Sequence, residues 1–254
     1  VPSGGVQTRA AADYGDGSKI NRCILEIYRD GVRYGDRKVA TVSAGQAVFD
    51  DLRLVASQTY DFVFWADCSD GGADKHYNTT DLTAITVNGD YTGNDDEFDA
   101  FFAKKTIPVT GSFTETVTLS RPFGQLNVQT LDLNEIKDES LKPTHVQVEF
   151  SSVPTTFDAL AGTAGSEAPL AYRTAVEDVT TGELTVDYIW AAEAKANLAD
   201  FSMTFYKNGT EIATNDGFTN IPIRRNYRTN VKGNLLTKKG SINVTINPGF
   251  ADEE

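Results

Sequence analysis

Apolar and polar residues alternate with a period of two along most of the chain, and Gly, Asn and Asp punctuate the intervals. Arg22–Tyr28 (RCILEIY) reads as a strand ended by the Asp30-Gly31 turn, and Lys38–Ser43 as a second. Tyr60–Asp67 (YDFVFWAD) is dense in aromatic and β-branched residues and reads as a core strand. Thr116–Leu119 closes this first block. A second series opens at Gln125–Thr130 and continues through Thr144–Phe150, Leu184–Trp190 and Phe201–Tyr206, with Asn208-Gly209 as a hairpin turn. Ile242, Val244 and Ile246 alternate near the carboxyl end. Helical periodicity is scarce. Asn94–Lys105 predicts one helix, with Asn94 or Asp95 as N-cap, acids in the first turn and Lys104-Lys105 in the last; Ala191–Leu198 suggests a second.

Short strands separated by turn residues, without alternating helices, point to an all-β chain of antiparallel sandwiches with one or two short helices. The two series predict two tandem β-sandwich domains, residues 1–120 and 121–254, joined at Ser120–Pro122. So short a joint implies domains packed end to end.

Composition removes several function classes. The chain has 254 residues, 40% of them hydrophobic, which is enough for a real core. Its 23 Lys+Arg against 36 Asp+Glu give a net charge of −13, so nucleic-acid phosphate and anionic lipid would repel it. His76 and His145 are the two histidines, too few for a three-histidine zinc site, and no HExxH, CxxC or GxSxG motif occurs. His145 reads as a surface histidine beside inward-facing Val146 and Val148, and His76 as part of a polar loop. Paired carboxylates for glycoside hydrolysis come from distant segments and leave no spacing to read. The acidic stretches 13–17, 67–74 and 94–99 lack the ligand spacing of an EF-hand and read as solvated turns and a helix start. Cys23 and Cys68 fit either one disulfide or two separate buried thiols. Trp65, Trp190, Tyr60, Phe62 and Phe64 are the candidates for sugar stacking, but alternating aromatics in a strand fit a core better. The expectation is therefore a protein with no catalytic residue, no metal site and no cofactor.

Several phrases in order carry a resemblance. Ile24–Tyr28 with Asp30-Gly31, Tyr60–Asp67 and His76–Leu82 (HYNTTDL) resemble the amino-terminal domain of Bacteroidetes-type fimbrillins, the type V pilins. Asp95–Phe102 (DDEFDAFF) is similar to the segment that follows in that family, and Arg121–Asn127 (RPFGQLN) to the opening of its second domain. Ile221–Val231 (IPIRRNYRTNV) with Gly233–Leu236 (GNLL) resembles its penultimate strands, so the likeness covers most of the chain. The resemblance implies transthyretin-like sandwiches in a non-enzymatic fimbrial subunit. It also implies export to the cell surface and outer membrane as a lipoprotein precursor, with the lipid anchor confined to that precursor. In that family an arginine-directed protease removes an amino-terminal strand, and a strand from a neighbouring subunit fills the groove left behind. Carried over, Arg9 and Ala10 in Thr8-Arg9-Ala10 become the processing site.

The assembly physics can be read without the family. A sandwich lacking a strand exposes unpaired N–H and C=O groups over an apolar trough, and a strand from another chain satisfies both. Ser241–Asn247 presents Ile242, Val244 and Ile246 at a spacing of two as a donor, and equally fits pairing within its own domain. The partners expected are other fimbrial subunits in a head-to-tail polymer, and a host or bacterial surface ligand. A surface glycan-binding β-sandwich protein is the alternative.

Overall fold

The computed structural model describes residues 14–176, 182–237 and 242–250. The first half of the chain supplies β1 (Arg22–Arg29), β2 (Val32–Arg33), β3 (Lys38–Thr41), β4 (Gln58–Asp67), β5 (Tyr77–Asn78), β6 (Ile85–Val87) and β7 (Ala100–Val109). Next come β8 (Phe123–Thr130), β9 (His145–Asp158), β10 (Thr163–Ala175), β11 (Glu183–Trp190) and β12 (Ala196–Asn197). The last are β13 (Phe201–Lys207), β14 (Thr210–Phe218), β15 (Pro222–Ile223), β16 (Tyr227–Gly233) and β17 (Asn243–Pro248). The chain is all-β, as its alternation predicts, with antiparallel sheets that do not close into a barrel.

In the first sheet β2 and β3 both pair with β1, followed by β4 and β7. Every residue of β1 except Arg29 is buried, because both faces of this sheet are covered. One face, with Ile24, Val63 and Trp65, packs against Phe123, Phe157 and Trp190 from the second half. The other, with Leu25, Ile27, Tyr60, Phe62 and Val109, builds a smaller core.

The second half is a sandwich. β11, β8, β16 and β17 form one layer, and β14, β13, β9 and β10 lie in the other, which β6 and β5 extend. β8 and β16 run parallel. Leu126, Val128, Leu184 and Val231 meet Val146, Val148, Phe150 and Met203 between the layers. β5 and β6 come from the chain before Ser120, yet join the sheet of β9 through Ile85↔Phe157 and Thr86↔Thr156.

Two helical expectations are corrected. Asn94–Lys105 is one 3-10 turn, Asp96–Phe98, followed by β7. Phe98, Ala100 and Phe102 are all buried, a period-two face that wins over helix propensity by pairing Ala100–Val109 with β4. Within Ala191–Leu198 only Ala196–Asn197 is regular, and it is a strand. Among the described residues, the other 3-10 turns are Leu133–Glu135 and Glu139–Leu141. Thr116–Leu119, which closes the first block, follows the first sheet but belongs to no ladder. That segment leads to the site.

Candidate functional site

Two irregular segments run over the outer face of the first sheet. Along 47–54, Ala47, Phe49, Leu52 and Leu54 are half-buried and Val48, Asp50 and Arg53 are exposed. Along 113–119, Val117 and Leu119 are half-buried while Thr116 and Thr118 face out. Both thus keep a strand-like inward side, but neither has a ladder partner among the described residues. Side chains hold them in place: the Phe49 ring lies 6.1 Å from Phe64, and Phe113 meets Phe62 edge-on at 6.1 Å. Ser43–Gln46 and Phe102–Ser120 close their ends as isolated bridges.

Between these rims lies a groove of about 1330 Å³ whose floor includes Cys23, Leu25, Phe62, Phe64, Ile107 and Val109. A sandwich layer complete at this point would carry ladder bonds where the rims now run alone. Main-chain donors and acceptors over an apolar floor are what an added strand needs. Phe113 and Val48 are exposed apolar residues at its margin.

Asp16–Ser18 and Phe101 line one end of the groove, where a clamp is built. Arg121 donates to both carboxylate oxygens of Asp99 and, through Nη2, to the Gly15 carbonyl. Its guanidinium lies between two rings, 4.4 Å from the centroid of Phe101 and 4.3 Å from that of Phe250. Gly15 N donates to Asp96 Oδ1 at 2.7 Å, and Arg228 Nη2 to the Tyr14 carbonyl at 3.0 Å. Burial pushes the carboxyls of Asp99 and Asp96 up; the hydrogen bonds from Arg121 to Asp99, and from Gly15 and Tyr188 to Asp96, oppose this.

β17 is the edge of its own sheet, paired antiparallel with β16 from Tyr227↔Pro248 to Lys232↔Asn243. Ile242, Val244 and Ile246 are only half-buried. The donor candidates therefore sit on an edge strand of their own domain. Arg9 and Ala10 lie outside the described residues.

The remaining sequence candidates are structural. Trp65 and Trp190 are buried with ring centroids 6.0 Å apart, and Trp190 stacks on Phe157 at 5.2 Å. Cys23 and Cys68 are free buried thiols; burial pushes Cys23 up to about 12. His145 is exposed, as expected.

The acidic stretches are only partly solvated: Asp16 and Asp70 are exposed as expected, while Asp67 and Asp99 are buried, which corrects the expectation for them. Asp67 is fully buried and accepts from Arg22 at 2.8 and 2.6 Å, and Arg22 also donates to Asp74. His76, Asp95 and Glu97 bring their ligand atoms within 4.8 Å of one another. The Lys75 ammonium, 2.5 Å from Glu97 Oε2, already supplies a positive charge there. Sequence reasoning missed Gly15 and Phe250, whose only signal is an isolated aromatic after Pro248-Gly249 in an otherwise acidic tail.

An all-β chain of antiparallel sheets of this kind is also seen in solved structures from Bacteroides. One, a candidate polysaccharide-binding protein (DUF1812) of Bacteroides thetaiotaomicron, has a TM-score of 0.58 and 12% identity over 91% of each chain. A candidate cell adhesion protein of Bacteroides uniformis reaches 0.58 at 13% identity, covering 92% of this chain and 94% of its own. A candidate adhesin of Bacteroides thetaiotaomicron follows at 0.50 and 11%, over 92% of each. At these identities the likeness is one of fold, and it is the fold that the fimbrillin resemblance implied. The chain itself belongs to DUF6562, a family of unknown function, whose model matches residues 1–254. No curated protein matches it.

Proposed function

We propose that this protein is a structural and adhesive subunit of a bacterial surface fimbria, in which the β17 ribbon of one copy fills the groove of the next. One observation carries this reading: the rims 47–54 and 113–119 flank an apolar floor without ladder partners among the described residues. A donated strand would pair with both rims and cover the floor. Burying Ile242, Val244 and Ile246 from full exposure would contribute on the order of 5 to 8 kcal/mol before ordering costs; they are already half-buried beside β16, so donation gains only the remaining part. Donor and acceptor surfaces differ, so the contact runs head to tail and propagates. In this scheme the domain 1–120 accepts and the domain 121–254 donates. Cleavage between Arg9 and Ala10 removes chain that leads into Asp16–Ser18 at one end of the groove.

The fold neighbours described as adhesion proteins support a place at the cell surface, and the fimbrillin resemblance supports a lipid anchor in the precursor and an outer-membrane origin. Among the described residues no helix is long and apolar enough to cross a membrane. Glycan binding is the weaker reading here. It is suggested by the description of one fold neighbour, but Trp65, Trp190, Tyr60 and Phe62 are all buried and offer no stacking platform.

Arginine-specific proteolysis of the purified protein tests the proposal. The expected result is a ladder of oligomers that survives in detergent, abolished by Val244→Asp. A cleaved protein that stays monomeric at high concentration would reject it.

A further inference from the structure

The two ends of the described chain meet at one side chain. Phe250 is 5% exposed although it follows directly on an edge strand whose own residues are half-buried or exposed. Its seat has three walls: the Arg121 guanidinium at 4.3 Å, the Tyr188 ring at 6.3 Å and the backbone of Gly15. The last contact is tight, since a Cβ on Gly15 would stand 2.6 Å from Phe250 Cδ2. Backbone geometry steers the ring there. Gly249 and Phe250 both have positive φ, 63° and 58°, and Gly249 N donates to the Asn226 carbonyl at 2.8 Å. A bulky residue in the left-handed region persists only where its surroundings hold it.

We propose that Phe250 is a latch that keeps β17 on its own sheet, and that the amino-terminal segment Tyr14–Gly17 forms one wall of its seat. The proposal rests on the reading of β17 as the donated ribbon, and adds a control to it. Val244–Asn247 of β17 are only half-buried and Asn243 and Pro248 exposed, so the ring of Phe250 is the deepest anchor of the described ribbon. Tyr14 and Gly15 are in turn held by Arg228, Arg121 and Asp96. Any event that shifts this segment, including processing upstream of it, removes a wall of the seat and frees the ribbon. The amino end of a subunit thereby controls when its carboxyl end becomes a donor.

Hydrogen exchange on the intact, uncleaved protein tests the latch without requiring a polymer. Phe250→Ala is expected to speed exchange of the β17 amides Val244–Asn247 by at least ~10-fold, the least that losing a buried aromatic anchor implies. Gly15→Ala, which drives a methyl into the ring, is expected to act in the same direction. Neither should change the amides of β4, which belongs to the first sheet. Unchanged β17 exchange in both variants would overturn the latch. So would an equal rise in β4, which would make Phe250 an ordinary core residue. In a parallel assay on cleaved protein, faster ladder formation by Phe250→Ala is expected. Loosened β17 without any ladder in either protein would defeat strand donation while leaving the latch standing.

Discussion

Arg121 grips Asp99 with two hydrogen bonds, Nε to Oδ1 at 2.7 Å and Nη2 to Oδ2 at 2.8 Å, at the junction between the two halves of the chain. Both side chains are buried, 9% and 0% exposed. A buried pair costs desolvation to form, but removing one partner strands the other charge. Arg121→Ala or Asp99→Ala should therefore lower unfolding stability by about 3 to 5 kcal/mol, as read from denaturant midpoints. A loss below about 1 kcal/mol, the range of exposed pairs, would show that the pair is not buried as described.

The aromatic cluster that joins the halves should be equally sensitive. Trp190 stacks on Phe157 and lies within 6.0 Å of Trp65, so it bridges strands from both sides of Ser120. Trp190→Ala should cost about 3 to 5 kcal/mol. Because the cluster is shared, fluorescence and circular dichroism should report one transition, shifted together. Two separated transitions would mean that the halves fold independently.

Asp187 is the clearest source of pH dependence. It is fully buried, Tyr91 Oη donates to its Oδ1 at 3.1 Å, and burial pushes its carboxyl up to about 6. An acid whose folded pKa lies above its unfolded value binds more protons folded than unfolded between the two. This group's contribution to stability is then greatest below about pH 4, the unfolded carboxyl value, and falls as pH rises to about 6. Other carboxylates titrate in the same range, so the useful quantity is the difference from Asp187→Asn. Relative to wild type, the variant should gain on the order of 3 kcal/mol between pH 4 and pH 7. A difference that is flat with pH would contradict the buried assignment.

Cys23 lies on the groove floor, 4% exposed, with its thiol pushed up to about 12 by burial. The thiolate is the reactive form, so alkylation of native protein at pH 8 should be at least ~100-fold slower than in denaturant. A fast native reaction would mean that the sheet opens readily beneath the groove.

Much of the fold was legible because runs of β-branched and aromatic residues bounded by turn residues mark strands even where both faces are covered, as in β1 and β8. β1, β4, β8 and β11 follow the predicted runs closely. β7 was misread because acids, a cap residue and two lysines mimic a helix, while the pairing with β4 that decides the matter is non-local. β10 carries no strong signal, being a mostly exposed strand that contains Gly165 and Pro169. The groove was harder still. Thr116–Leu119 alternates Val117 and Leu119 inward with Thr116 and Thr118 outward, but a missing ladder partner is a property of the arrangement and not of the segment. The latch of Phe250 on Gly15 joins residues at opposite ends of the chain, and no local pattern encodes such a pair.

Occupation of the groove is tested most directly by adding a synthetic peptide of residues 241–250 to the Arg9-cleaved protein and following hydrogen exchange along the rims. Amides in 47–54 and 113–119 should gain at least ~10-fold protection, and a peptide carrying Val244→Asp should give none, because a buried unpaired charge costs several kcal/mol. Rims that exchange at the same rate with and without the peptide would contradict the claim that this groove receives a strand.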